Sequence, residues 1–375
     1  MDFAFSEEQQ MLRASAVDFL QTECPRSRVR ELEHDERGYD PSVWRRMAQE
    51  MGWMGLVLPE QYGGVGGDLM DLAVLLETMG ATIVPGPFFP TVALCALPIL
   101  QYGTERQKER YLPGIARGEQ IWTLALTEPS VSYQPAAIEL TATQKADGSV
   151  LSGSKFLVPY AHVADHFLVV ARTGDLPADV SVFIVDAVTP GLNIEVIPTM
   201  ARDKQCMVAF DGVEAMPEDI LGETGRGWDV VDSVFLTAGV LKSAEMLGAC
   251  DAMVEMTTEY MKTRVQFDRP IGSFQALQHR IVDRFMDVEG LRHLVHEAAW
   301  ALSSGAPSRI LASMAKAKAN EVFQRTCIDC IKNYGAIGFT ADQDIGLYYR
   351  RVKAAEFLLG DSDFHREKVA VELGL

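Results

Sequence analysis

From Trp228 to Arg264 the chain contains no proline. A stretch of that length, if wholly helical, extends about 55 Å. A helix so long needs partners of similar length to cover its apolar residues, and the following sequence supplies them. Gly272 to Ser303 carries Ala276, His279, Ile281, Val282, Phe285, Met286 and Val288 near helical spacing, and Arg309 to Asn333 and Asp344 to Leu359 read as two more helices. Four helices with short connections predict a bundle over the last third of the chain.

The first third is also helical in pattern. Ser6-Glu7-Glu8-Gln9 has the form of a capping box, and Leu12, Ala16, Phe19 and Leu20 continue an apolar face behind it. Further helices are expected over Ser42 to Met51, Asp68 to Met79 and Thr104 to Leu112, the last stopped by Pro113-Gly114. Tyr62-Gly63-Gly64-Val65-Gly66-Gly67 is a loop with unusual backbone angles. The middle third changes period. Trp122 to Thr127, Ser149 to Gly153, Asp165 to Ala171, Val180 to Val185, Leu192 to Ile197 and Met207 to Phe210 are short, strand-like and separated by turn residues. The expected class is therefore multi-domain α+β: an N-terminal helical domain (1–120), a middle β-barrel or sandwich (121–225) and a C-terminal four-helix bundle (226–375).

Composition excludes several classes. A net charge of −18 without a basic stripe argues against nucleic acid as a partner. Thr78 to Thr104 has no charged residue, but Pro85, Pro87, Pro90 and Pro98 would break a lipid-spanning helix, so a buried loop and a short core helix are expected there. Met1 to Phe5 lacks the basic and apolar regions of a signal peptide. The six scattered cysteines suit a reducing, cytoplasmic setting, and Cys327 and Cys330 are expected as buried thiols. His293 and His296 are spaced i, i+3, but no carboxylate–histidine pattern on other helices supports a metal, so they are expected at the surface. No Gly-x-Ser-x-Gly, P-loop or GxGxxG is present.

Four local signatures follow one another along the chain. They are Leu126-Thr127-Glu128-Pro129, Gly153-Ser154-Lys155, the run from Arg264 through Phe267, Asp268 and Pro270 to Gln275, and Tyr334-Gly335-Ala336-Ile337-Gly338-Phe339. In that order they resemble the T-E-P turn, the G-x-K strand, the R-x-Q-F-G-x-P-I-x-x-F-Q motif and the G-G-x-G-[FY] motif of the acyl-CoA dehydrogenases. With the opening Ser-Glu-Glu-Gln and the glycine loop, the resemblance covers nearly the whole chain. It implies FAD as cofactor, an acyl-CoA substrate, an electron acceptor such as an electron-transfer flavoprotein, a place in lipid metabolism, and a homo- or heterotetramer. It places Thr127, Arg264, Phe267, Gln275, Gly335 and Gly338 at the cofactor, and Ser132, Leu359 and Gly360 on the substrate side. A guanidinium such as that of Arg264 suits a pyrophosphate, and glycines allow close backbone approach to phosphate.

The sequence departs from the family pattern at several positions. Leu157 and Pro159 stand where a tryptophan and a threonine are usual, and proline offers no N–H. Asp268 replaces a glycine, Lys332 a glutamine and Ala336 a glycine. Ser130-Val131-Ser132-Tyr133 replaces a small turn, so that Tyr133 narrows the CoA side. Most important, the position of the usual catalytic glutamate matches Leu359, and the alternative base position on the first bundle helix matches Ala238. Glu245, seven residues further along that helix, shares its face with Ala238 and becomes the candidate base, with Gly248 leaving room for substrate beside it. The same carboxylate also suits a surface ion pair with Lys242. Asp361 is the next candidate, and Glu356 is expected on the solvent face. Three functions remain open: a dehydrogenase with a displaced base, a base-independent elimination on a CoA thioester, and a half-site subunit of a hetero-oligomer. Leu157 and the Pro85–Pro90 loop suggest a branched or cyclic acyl chain.

Overall fold

A computed structural model gives the structure of the chain and describes residues 5–306 and 308–375. Residues 1–4, most of the stretch read above as lacking a signal peptide, lie outside the described residues. The helical elements of the first third are α1 (Glu7–Glu23), α2 (Arg26–His34), α3 (Pro41–Gln49), α4 (Leu69–Thr82), α5 (Phe88–Thr91), α6 (Leu97–Tyr102) and α7 (Glu105–Ala116). The strands are β1 (Trp122–Ala125), β2 (Thr141–Lys145), β3 (Gly148–Pro159), β4 (His166–Arg172), β5 (Val180–Asp186), β6 (Leu192–Ile197), β7 (Gln205–Ala215) and β8 (Ile220–Leu221). The last third holds α8 (Gly227–Thr263), the small hairpin β9 (Val265–Gln266) and β10 (Arg269–Pro270), α9 (Gln275–Ser303), α10 (Arg309–Tyr334), α11 (Ile345–Phe357) and α12 (Ser362–Glu372). Helices, then a sheet, then a helical bundle is the expected order.

The local reasons are those of the sequence. Ser6 accepts from the Gln9 N–H while Gln9 reaches back to the Ser6 N–H, so α1 starts in a complete capping box. Asp68 caps α4 in the same reciprocal way with Asp71. Two details differ from expectation. Pro113 lies inside α7: its carbonyl still accepts from Arg117, and the one N–H bond that it removes would have gone to the exposed residue Glu109. The segment after Thr78 is mostly helical: Pro85 and Pro87 fall ahead of α5 and Pro90 in its first turn, where the missing N–H has no helical partner to lose, and Pro98 follows a wide π turn, Val92–Ala96, that joins α5 to α6. α2, β2, β8, the β9–β10 hairpin and α12 had no expected counterpart.

Contact density divides the chain into two compact units. One comprises residues 32–67 and 85–238 and contains the mixed sheet, in the order β6-β7-β3-β2-β4-β5-β8, with β1 parallel to β4. β4 and β5 are almost wholly buried and pair antiparallel along their full length. β3 is the strand that bends, with register shifts at Leu151/Ser152 and Lys155/Val158.

The other unit comprises residues 1–31, 68–84 and 239–375. Here α4 crosses α8 at a backbone-to-backbone distance that only glycine permits. A Cβ on Gly80 would lie 1.8 Å from the Glu245 carbonyl oxygen, and one on Gly248 would lie 1.7 Å from that of Glu77. The two helices thus exchange a glycine for a glutamate backbone, twice. The space at Gly248 is therefore filled by α4 and does not serve substrate, which corrects the expectation above. The Glu77 side chain, buried in the same crossing, accepts from Arg292 at 2.7 Å and from His296 at 2.8 Å. Burial opposes its ionisation, but His296 and Arg292 outweigh burial and hold the Glu77 carboxyl below its ordinary value. His296 is thus a partnered, largely buried residue and not a surface histidine. No helix among the described residues is long and apolar enough to cross a membrane.

Gly248→Ala is expected to destabilise the protein by about 3 kcal/mol, because the overpacking at α4 exceeds the usual helix gain from alanine. Urea unfolding of the variant measures it.

Candidate active site

The turn after β1 is anchored by a buried ion pair. Lys155, fully buried on β3, places its ammonium 2.6 Å from Glu128 and 3.2 Å from the Leu126 carbonyl. Glu128 in turn accepts from the main-chain N–H groups of Glu139 and Leu140. Burial pushes the Lys155 ammonium down to about 8 in spite of the attraction of Glu128. Two of the sequence signatures are therefore one structural device. It brackets Thr127, whose carbonyl also accepts from the Phe156 N–H at 2.8 Å and whose side chain is left half-exposed. Next on β3, Leu157 adopts φ +54° at the register shift, and the Pro159 carbonyl accepts from Thr123. Ser132 is exposed and its hydroxyl accepts from Gln134, while Tyr133 meets Phe235 edge-on at 6.1 Å.

Glu245 lies on α8, partly exposed, with its carboxylate 2.5 Å from the ammonium of the nearly buried Lys242. The ion pair foreseen as the alternative role of Glu245 is formed. Its backbone is fixed by the Gly80 crossing, so the carboxylate stands on a rigid element.

The hairpin that follows α8 turns through Phe267 (φ +54°) and Asp268 (φ +62°). Two left-handed residues in a two-residue hairpin make a mirror-image turn that suits glycine far better than phenylalanine and aspartate. Phe267 stands 86% exposed and touches Phe274 edge-on. Arg264 is exposed, and its guanidinium pairs with no described residue. Gln275, the first residue of α9, is exposed as well. Gly335 ends α10 at φ +72°, ψ −148°, a region closed to other residues, and a Cβ there would meet empty space. Gly338 is different: a Cβ there would lie 2.8 Å from the Ile331 carbonyl oxygen, so its first need is packing against its own helix end.

The turn between α11 and α12 holds Leu359, which the sequence resemblance matched to the base position. Leu359 (φ +63°) is buried, and Gly360 (φ +102°) could not take a Cβ, which would lie 2.3 Å from Phe364 and 2.8 Å from His365. The carbonyls of this turn are gripped from below. His365 Nε2–H donates to Leu359 at 2.9 Å, and Lys316 Nζ and Asn320 Nδ2 donate to Gly360 at 3.2 and 3.3 Å. Lys316 also reaches the Ala355 carbonyl at 3.0 Å, the Glu356 carbonyl at 3.3 Å and Asn320 Oδ1 at 2.6 Å. By contrast, the N–H groups of Leu359, Gly360 and Asp361 donate to no described residue. Successive free N–H groups at positive φ form a concavity suited to a negative oxygen. Asp361, the second candidate base, accepts from the Phe364 N–H as N-cap of α12. Glu356 pairs with Lys353 at 2.7 Å and is largely buried, not solvent-facing. Sequence reasoning missed Lys316, Asn320 and His365.

Among the described residues no group of His, Cys, Asp or Glu is arranged to hold a metal ion, and all six cysteines are buried free thiols.

The chain belongs to the acyl-CoA dehydrogenase family: residues 6–119, 123–213 and 225–374 match its N-terminal, middle and C-terminal domain models. It is 30% identical to the probable acyl-CoA dehydrogenase YngJ of Bacillus subtilis over 100% of both chains. The butyryl-CoA dehydrogenase of Megasphaera elsdenii superposes with a TM-score of 0.93 at 26% identity, covering 100% of both chains. The ChsE4–ChsE5 complex of Mycobacterium tuberculosis matches with a TM-score of 0.91 at 28% identity, covering 100% of this chain and 99% of the other. The chain is thus an oxidoreductase of the class acting on CH–CH groups, with FAD as its cofactor. Its residues fit that group: the free Arg264 guanidinium, the exposed Phe267 ring and the open backbone at Gly335 suit an anionic, planar molecule. Pro159 is the exception, because it offers no donor.

Burial, and the nearby Lys242 ammonium, push the Lys316 ammonium down to about 7. Its folded value lies below its unfolded one, so the cost of the buried charge is fully present below pH 7. It is relieved as pH rises from about 7 to about 10. Lys316→Met is therefore expected to flatten the rise in urea stability over that range relative to wild type. Parallel slopes for the two proteins would show that Lys316 does not titrate there.

Proposed function

We propose that the chain dehydrogenates an acyl-CoA thioester at its α and β carbons, with Glu245 as the base. What supports this reading is the Leu359–Gly360–Asp361 turn, whose N–H groups donate to no described residue, at the position that the sequence resemblance gives to the base. When bound, FAD accepts the hydride from the β-carbon. As the α-proton leaves, negative charge develops on the thioester oxygen, and the free N–H groups of the Leu359–Gly360–Asp361 turn meet it there. Glu245 takes the α-proton, and the Lys242 ammonium orients its carboxylate. Arg264 offers a charged fork to the cofactor pyrophosphate, with Phe267, Gln275, Gly335 and Gly338 around it, and Thr127 offers its hydroxyl to the flavin edge. Ser132 lies on the CoA side. Leu157 and the Pro85–Pro90 loop, which Tyr160 holds through the Gly86 N–H at 2.8 Å, favour a branched or cyclic acyl chain.

The reading places the protein in the cytoplasm, supported by six reduced cysteines, and in a tetramer that passes electrons to an acceptor such as an electron-transfer flavoprotein. The domains are taken as 1–120, 121–225 and 226–375.

Three observations favour a second reading, that of a half-site subunit whose partner chain supplies the base. Leu359 cannot accept a proton, Glu245 is engaged by Lys242, and a similar protein has been solved as a complex of two named chains.

Glu245→Gln is expected to slow anaerobic reduction of the flavin by acyl-CoA by about a thousandfold, with the oxidised spectrum unchanged. Reduction at the wild-type rate in stopped flow would remove Glu245 from the mechanism.

A further inference from the structure

We propose that Lys316, Asn320 and His365 are positioning residues for thioester recognition. They grip the carbonyls of the Leu359–Gly360 turn and so aim its N–H groups at the substrate carbonyl. The inference rests on the reading of that turn as the thioester site.

Three buried polar side chains, from α10 and α12, converge on two consecutive carbonyls. In a trans peptide the N–H points opposite to the C=O. Holding the Leu359 carbonyl against His365 therefore turns the Gly360 N–H away from the clamp. Holding the Gly360 carbonyl against Lys316 and Asn320 does the same for the Asp361 N–H. The turn needs such a grip. Leu359 is a branched residue in a left-handed conformation that a free chain avoids, and Gly360 lies in a region that only glycine enters readily.

Simple helix capping does not explain the cluster. The last carbonyls of α11 could be met by water or by an exposed cation, yet a fully buried ammonium is spent on them. The same ammonium reaches past the helix end to Gly360. His365 is 2% exposed, and its Nδ1 has no partner, so the ring is held by one bond, to the turn. The clamp grips the backbone and is indifferent to the side chain at position 359. The turn can thus keep its shape with leucine there.

The test uses the full-length, FAD-loaded protein and two ligands that cannot react, a 2,2-dimethylacyl-CoA thioester and its thioether counterpart without the carbonyl. Calorimetry gives the affinity ratio of thioester to thioether. Wild type is expected to prefer the thioester by about tenfold, the value of one or two hydrogen bonds to a carbonyl. His365→Phe and Asn320→Ala are expected to bring the ratio to within about twofold of unity, with thioether affinity unchanged. His365→Gln, which restores a donor at the Nε2 position, is expected to recover most of the preference. If the variants lose thermal stability but keep the wild-type ratio, the residues are structural only and the proposal is overturned. A wild-type ratio of one, or no binding of either ligand, would instead overturn the thioester reading of the turn. Should His365→Phe fail to fold, Asn320→Ala and His365→Gln decide the matter.

Discussion

A buried lysine ammonium that grips backbone oxygens is the interaction on which both candidate turns depend. Lys155 does this in the sheet-containing unit and fixes the turn around Thr127. Lys316 does it in the helical unit and fixes the turn at Leu359–Gly360. Burying a charge is costly unless every donor is used. Lys155 offsets that cost with Glu128 and the Leu126 carbonyl, and Lys316 with the Ala355, Glu356 and Gly360 carbonyls and Asn320 Oδ1. The cost of desolvation is thereby converted into a backbone with little freedom, which is what recognition of a flat cofactor edge or a small carbonyl requires.

The crossing of α4 and α8 plays a complementary role. Gly80 and Gly248 let two helix backbones touch, and Glu245 lies at that contact. A carboxylate offered as a base must keep its place within a fraction of an ångström, and a residue whose own carbonyl packs against another helix does so. The buried Glu77–Arg292–His296 group continues the same crossing into α9.

Much of this was legible in the sequence. The capping box at Ser6, the β6 strand and the four bundle helices follow from residue type and period, because local chemistry alone decides them. The T-E-P signature led to Thr127, and the family resemblance at Ala355–Asp361 led to the turn at Leu359. The long-range roles of small residues were not legible: Gly248 looked like space for substrate, and only the position of α4 shows otherwise. Pro113 looked like a helix stop, but the bond it removes fell on an exposed residue. Lys316 left a signal that went unread. It falls in the apolar period of Ala312, Ala315, Ala319, Phe323, Cys327 and Cys330, so a lysine stood at a core position of α10. Asn320 one turn on should have marked its partner. His365 could not be found this way, since α12 has too weak an apolar pattern to be recognised as a helix.

The most direct test is the visible absorption of the protein purified alone, before and after anaerobic addition of a panel of acyl-CoA thioesters. A self-sufficient dehydrogenase shows an oxidised flavin spectrum that bleaches with at least one member of the panel. A flavin that no thioester bleaches, or a colourless protein that acquires flavin only with a second chain, would contradict catalysis by Glu245 in this chain alone.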